Sequence, residues 1–130
     1  MLGRIGAILA GLVVFTALEF LASHAASASW PAYALAAPTR AYTLDMLLVR
    51  LMAGALAAVA SGAVASRVAR LDQQASLWFG FVLLLLSVIY HYFIWDQYPV
   101  WYHLCWFALI VPFAVLGGKV TSPLRDEQHV

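Results

Sequence analysis

The sequence predicts an all-α membrane protein built from four transmembrane helices in an antiparallel bundle. Hydrophobic residues make up 65% of its 130 residues and charged residues only 10%, at a mean hydropathy of +0.88, whereas a soluble domain carries roughly one-quarter charged residues. Apolar runs stand at Leu2 to Ala22, Met46 to Ala65, Leu77 to Trp95 and Val100 to Gly117, each close to the ~20 helical residues that cross ~30 Å of hydrocarbon. Between the runs lie turn residues: Ser27, Ser29 and Pro31, then Asp72 with Gln73 and Gln74, then Asp96, Gln97 and Pro99.

Runs of this length exclude barrel strands, which alternate and are about half as long. In hydrocarbon the backbone must then bond within itself as helix. A single domain over 1–130 follows, with helices at about 2–22, 44–67, 77–95 and 100–117 and a tail over 118–130. The last two connections are short and force antiparallel neighbours. Arg4, Arg67, Arg70, Lys119 and Arg125 fall on one side of four spans, and Arg40 alone on the other. The positive-inside rule therefore expects both termini, and the tail, in the cytoplasm of a bacterial inner membrane. Trp30, Tyr33, Tyr90, Tyr92, Trp95, Tyr98, Trp101 and Tyr102 collect on the opposite side, where rings anchor at headgroup depth.

The first run has a rival reading as a cleavable secretory signal, because Arg4 precedes an apolar stretch that ends in Ala26-Ser27-Ala28. Its length and Glu19 argue for a retained span. In the second run Gly54, Ala58, Gly62 and Ser66 recur every four positions, a ridge that lets helices in lipid approach closely. Gly3, Ala7 and Gly11 form a matching series, so this ridge is expected to join helices one and two. One turn before Gly54 stands Arg50, and Glu19 lies at similar depth on the first span. A charge at mid-membrane costs ~2.5–3.5 kcal/mol on insertion scales, so such residues tend to pair or line a wet cavity. Glu19 and Arg50 are expected to form an intramembrane ion pair, either fixing helix register or serving as a coupling or binding site.

In the segment IYHYFIWDQYPVWYHLCWF, His91 and His103 each lie six positions from Gln97 and so at matching depth on antiparallel helices. With His24, Asp45 and Asp96 they form an expected polar cluster on the outer face. Imidazoles can hold a metal or haem or relay protons, yet no recognised ligand spacing is present. No cofactor is expected, and the metal question stays open. Cys105 is the sole cysteine and excludes an intramolecular disulfide. A net charge of +1 without a basic patch excludes nucleic acid as a partner. No nucleophile arrangement or phosphate-cradling glycine loop is present, so an enzyme is not expected.

Three stretches carry a family likeness: Leu18-Glu19 followed by His24, Gly62 through AVASRVAR, and YPVWYH with PFAVLGGK. In these the chain resembles an uncharacterised family of small bacterial four-helix membrane proteins. The resemblance implies the four-span fold, retention of the first helix, and a place for Glu19 and His24 together at the outer surface; it implies no activity. Residues 29–43 depart from that pattern in having few acidic residues, which argues against a ligand site on the first outer loop. The expected role is structural or accessory to a membrane complex, with the lipid bilayer, a second copy or a complex subunit as partner. The alternatives are a small oligomeric transporter using Glu19 and Arg50, and metal or haem binding through His91 and His103.

Overall fold

The computed structural model describes residues 2–121, so Arg125 and most of the expected tail lie outside the described residues. Within that range the chain is helical, with four helices long and apolar enough to cross a membrane: α1 (Leu2–Ser29), α3 (Leu44–Val68), α4 (Gln73–Phe93) and α5 (Val100–Val120). A short helix α2 (Pro31–Ala36) follows α1, and a 3-10 turn at Trp95–Gln97 joins α4 to α5.

The first helix runs beyond the expected end near residue 22. Ser29, expected to break it, donates its hydroxyl to the Ala25 carbonyl instead. The helix stops at Trp30, whose extended backbone is the conformation that the following Pro31 imposes. Helix α3 ends through two left-handed residues, Arg70 (φ 57°) and Leu71 (φ 65°). Asp72 then caps α4 by accepting from the Gln74 N–H at 3.0 Å, which draws the turn residues Gln73 and Gln74 into the helix. One end of the bundle thus carries Arg4, Arg67, Asp72 and Lys119, and the other the aromatic turns. These are called the basic end and the aromatic end below.

Helix α3 packs most closely on α5 and next on α1. The small-residue ridge of Gly54, Ala58 and Gly62 is buried, but its two glycines face α5 and not α1 as expected. A Cβ on Gly62 would overlap the Ala114 backbone, and one on Gly117 would overlap the Val59 carbonyl in return. At Gly54 the Trp106 ring occupies the space, 2.5 Å from where a Cβ would stand. Gly11 of α1 instead receives the Phe79 ring of α4, while Gly3 has open space around it. The physical reason lies in the partner surfaces, since α5 offers its own glycine at the level of Gly62 and both backbones can close together.

At the basic end α1 is held to the α3–α4 turn. Arg4 donates to Asp72 Oδ2 at 2.8 Å and to Gln74 Oε1 at 2.9 Å. The Arg4 guanidinium holds the Asp72 carboxyl below its ordinary range. A carboxyl lowered on folding adds stability that is fully present above its unfolded value of about 3.9 and lost as pH falls through the folded value.

Two outcomes follow. Gly62→Leu is expected to lower the thermal midpoint in detergent, since overpacking costs ~1–3 kcal/mol, while Gly3→Ala leaves it unchanged or raised; equal midpoints would contradict the α3–α5 contact. Because the Arg4–Asp72 pair is solvent-exposed, Asp72→Asn should cost under about 1 kcal/mol at neutral pH. The same variant should flatten the loss of stability below about pH 4, read from unfolding midpoints across an acid series.

Candidate functional site: a lateral cavity around Arg50

Arg50 stands two turns into α3 from the aromatic end, enclosed by tyrosines from three other segments. Its Nη1 donates to the Tyr33 hydroxyl at 2.7 Å. The guanidinium carbon lies 4.9 Å from the Tyr42 ring centroid and 5.8 Å from that of Tyr98, within cation–π range. Tyr42 and Tyr98 stack on one another, and Tyr98 on Tyr102. Burial pushes the Tyr42 hydroxyl up to about 12 and raises that of Tyr98, against the opposing pull of Arg50. These two phenols therefore stay neutral and leave the Arg50 charge uncancelled.

This shell divides the aromatic residues that the sequence placed together at headgroup depth. Tyr90, Tyr92, Trp95 and Trp101 are exposed, as anchors are. Tyr33, Tyr98 and Tyr102 are buried and serve the arginine. The signal that separates them was present in the sequence: an arginine inside a span needs acceptors and ring faces, and helix α2 exists to deliver Tyr33, which is 1% exposed.

The direct ion pair expected between Glu19 and Arg50 is not formed. Among the described residues the ion pair within 4.0 Å is Arg4–Asp72. Arg50 is turned toward Tyr33, leaving its buried Nε without a hydrogen-bond partner, and Glu19 Oε1 is buried and unpartnered likewise. Both residues line a gap of about 30 Å³ with Ser23 and Tyr33.

His91 and His103 do meet, as their spacing from Gln97 requires, with Nδ1 atoms 2.6 Å apart. His103 is fully buried and its Nε2 lies 3.0 Å from the Trp95 carbonyl. A carbonyl only accepts, so His103 Nε2 carries a proton; the neutral ring then has a lone pair at Nδ1. His91 must donate from its own Nδ1, which leaves the His91 Nε2 lone pair free. The pair thus clamps the Trp95–Gln97 turn to α5 and presents one fixed acceptor.

The remaining members of the expected outer cluster do not join it. His24 is exposed, hydrogen-bonded to the Phe20 carbonyl at 2.9 Å and tilted against the Phe20 ring, and so bonds within its own helix and not to Glu19. Asp45 is exposed and accepts from Thr43, and Asp96 is exposed on the 3-10 turn. Among the described residues no three His, Cys, Asp or Glu side chains gather as a metal ion would need.

What Glu19, Arg50 and His91 share is a cavity. It measures about 550 Å³ and lies between the aromatic-end halves of α1 and α4, inside the ~300–1,000 Å³ range of small-molecule sites. Phe15, Thr16 and Phe20 line it on one side, Leu83, Leu86 and Tyr90 on the other, and Tyr102 and Trp106 at the back. Phe15 meets Trp106 edge-on, with ring centroids 6.4 Å apart. Toward the basic end the Phe79 ring packs against Gly11 and brings α4 and α1 together.

Nitrogen-15 NMR of the imidazoles checks the tautomers: His103 is expected as the Nε2–H form and His91 as the Nδ1–H form. His103→Phe should destabilise by about 1–3 kcal/mol for each polar group left unpartnered, and the His91 signal should lose its fixed tautomer. Comparison of the chain with known protein families, curated proteins and solved structures found no match.

Proposed function

We propose that this chain is a multi-pass protein of the bacterial cytoplasmic membrane that binds an amphipathic small molecule through the cavity between α1 and α4. The observation that carries the reading is a cavity with apolar walls whose rim holds Arg50 with an unpartnered Nε and Glu19 with an unpartnered Oε1. An orphaned buried polar atom costs ~1–3 kcal/mol, more when charged, and ridge packing alone gives no reason to keep two. A polar head placed between them relieves that cost, while the apolar part lies along Leu12, Leu83 and Leu86.

Orientation follows from charge. The basic end carries Arg4, Arg67, Arg70 and Lys119 against Arg40 at the aromatic end, which supports termini in the cytoplasm. The cavity then belongs to the outer half of the bilayer. Transport of a solute draws less support, because the Gly11–Phe79 contact brings α4 and α1 together toward the basic end and binding sites of transporters lie near the midplane. Metal or haem binding draws less still, because His91 and His103 spend their facing nitrogens on each other. An accessory role in a membrane complex is compatible with ligand binding and draws on α1, the least covered of the four long helices.

Native mass spectrometry of the detergent-purified protein tests the binding role. Wild type is expected to retain about one amphiphile per chain through activation. Thr16→Trp changes an exposed residue of the cavity wall and should fill the mouth, removing the adduct without loss of fold; equal adducts in both proteins would refute it.

A further inference from the structure

Resting on the binding role above, we infer that the head held in the cavity is the phosphoethanolamine of a membrane lipid, with its phosphate on Arg50 and its primary ammonium between Glu19 and His91. The first ground is charge. The cavity wall carries one group of each sign, and among the described residues the two make no direct pair. A plain anion would bring its charge to Glu19 and a plain cation to Arg50. A zwitterion meets both.

The second ground is the inventory of free positions. Arg50 has spent Nη1 on Tyr33 and the face of its guanidinium on Tyr42 and Tyr98, with Tyr102 beside it as a further partner. Its Nε is unpartnered, and the guanidinium edge that includes Nε is the fork that fits two oxygens of a phosphate. The same lining offers acceptors: Glu19 Oε1, and the His91 Nε2 lone pair left by the tautomers. Acceptors call for N–H donors, and a primary ammonium has three. A trimethylammonium has none and is recognised by aromatic rings; here the tyrosine rings are already occupied by Arg50.

The third ground is the opening. Thr16, Phe20 and Leu86 are exposed members of the lining, on α1 and α4, so acyl chains can leave sideways into the bilayer while the head stays inside. A soluble zwitterion would gain nothing from those walls.

The experiment uses delipidated wild-type protein in detergent with an equimolar mixture of phosphatidylethanolamine, phosphatidylcholine and phosphatidylglycerol of identical chains, read by native mass spectrometry. Phosphatidylethanolamine is expected to be retained about tenfold over either competitor, equivalent to ~1.4 kcal/mol. Glu19→Gln should bring the ethanolamine-to-choline ratio close to one, and Arg50→Lys should lower retention of all three lipids while keeping their order. Equal retention of the choline lipid by wild type, or preference for phosphatidylglycerol, overturns the head-group assignment and leaves the amphiphile site standing. Displacement of bound lipid by free phosphoethanolamine overturns the lipid as the source of the head. Retention no higher than in Thr16→Trp overturns the binding role itself.

Discussion

Gly62 and Gly117 allow the backbones of α3 and α5 to touch, and the placement of every other helix follows from that contact. Lipid tails are as apolar as leucine, so helices in a bilayer gain no hydrophobic drive toward one another and associate where dispersion contacts are dense. Near the basic end, glycines and alanines let α3 and α5 close completely. Toward the aromatic end Trp106 lies over Gly54, and Arg50 with Tyr102 fills the next level. Those side chains form the back of the space between α1 and α4. The two outer helices therefore meet beside Phe79 and Gly11 and bracket a cavity beyond it.

The second constraint is the charge on Arg50, which a guanidinium cannot shed. A carboxylate within contact distance would have settled it at the cost of desolvating a second ion. The chain uses a different arrangement, in which the Tyr33 hydroxyl, the faces of Tyr42 and Tyr98 and the neighbouring Tyr102 hold the cation. Neutral phenols orient and partly solvate it without quenching its charge. The field of Arg50 is thus kept for the cavity, and Glu19 remains on the same wall with an oxygen to offer.

The four long helices were legible because their cause is local: length and apolarity determine a span whatever surrounds it. Helix α2 was not, since six residues reading PAYALA carry no usable periodicity and are helical because Tyr33 is wanted beneath them. The match between His91 and His103 was legible from their equal distance to Gln97, a consequence of hairpin geometry. Which glycine ridge meets which helix was not, because the α1 and α5 surfaces both contain small residues and only the three-dimensional closure chooses between them. The pairing of Glu19 with Arg50 failed for a related reason. Equal depth brings two residues to one level of the bundle, but the direction of a long side chain depends on competing partners, and Tyr33 lies outside the spans, on α2.

The imidazole pair links the turn at the aromatic end to the cavity, and its asymmetry decides what the link tolerates. A donor that hydrogen-bonds to His91 Nε2 from the cavity side leaves the His91 Nδ1–H donor untouched, so the bond to His103 and the bond from His103 to the Trp95 carbonyl both persist. The geometry of the turn is consequently insulated from hydrogen bonding in the cavity. Such insulation suits a site that must accept and release a charged head while its walls stay in place.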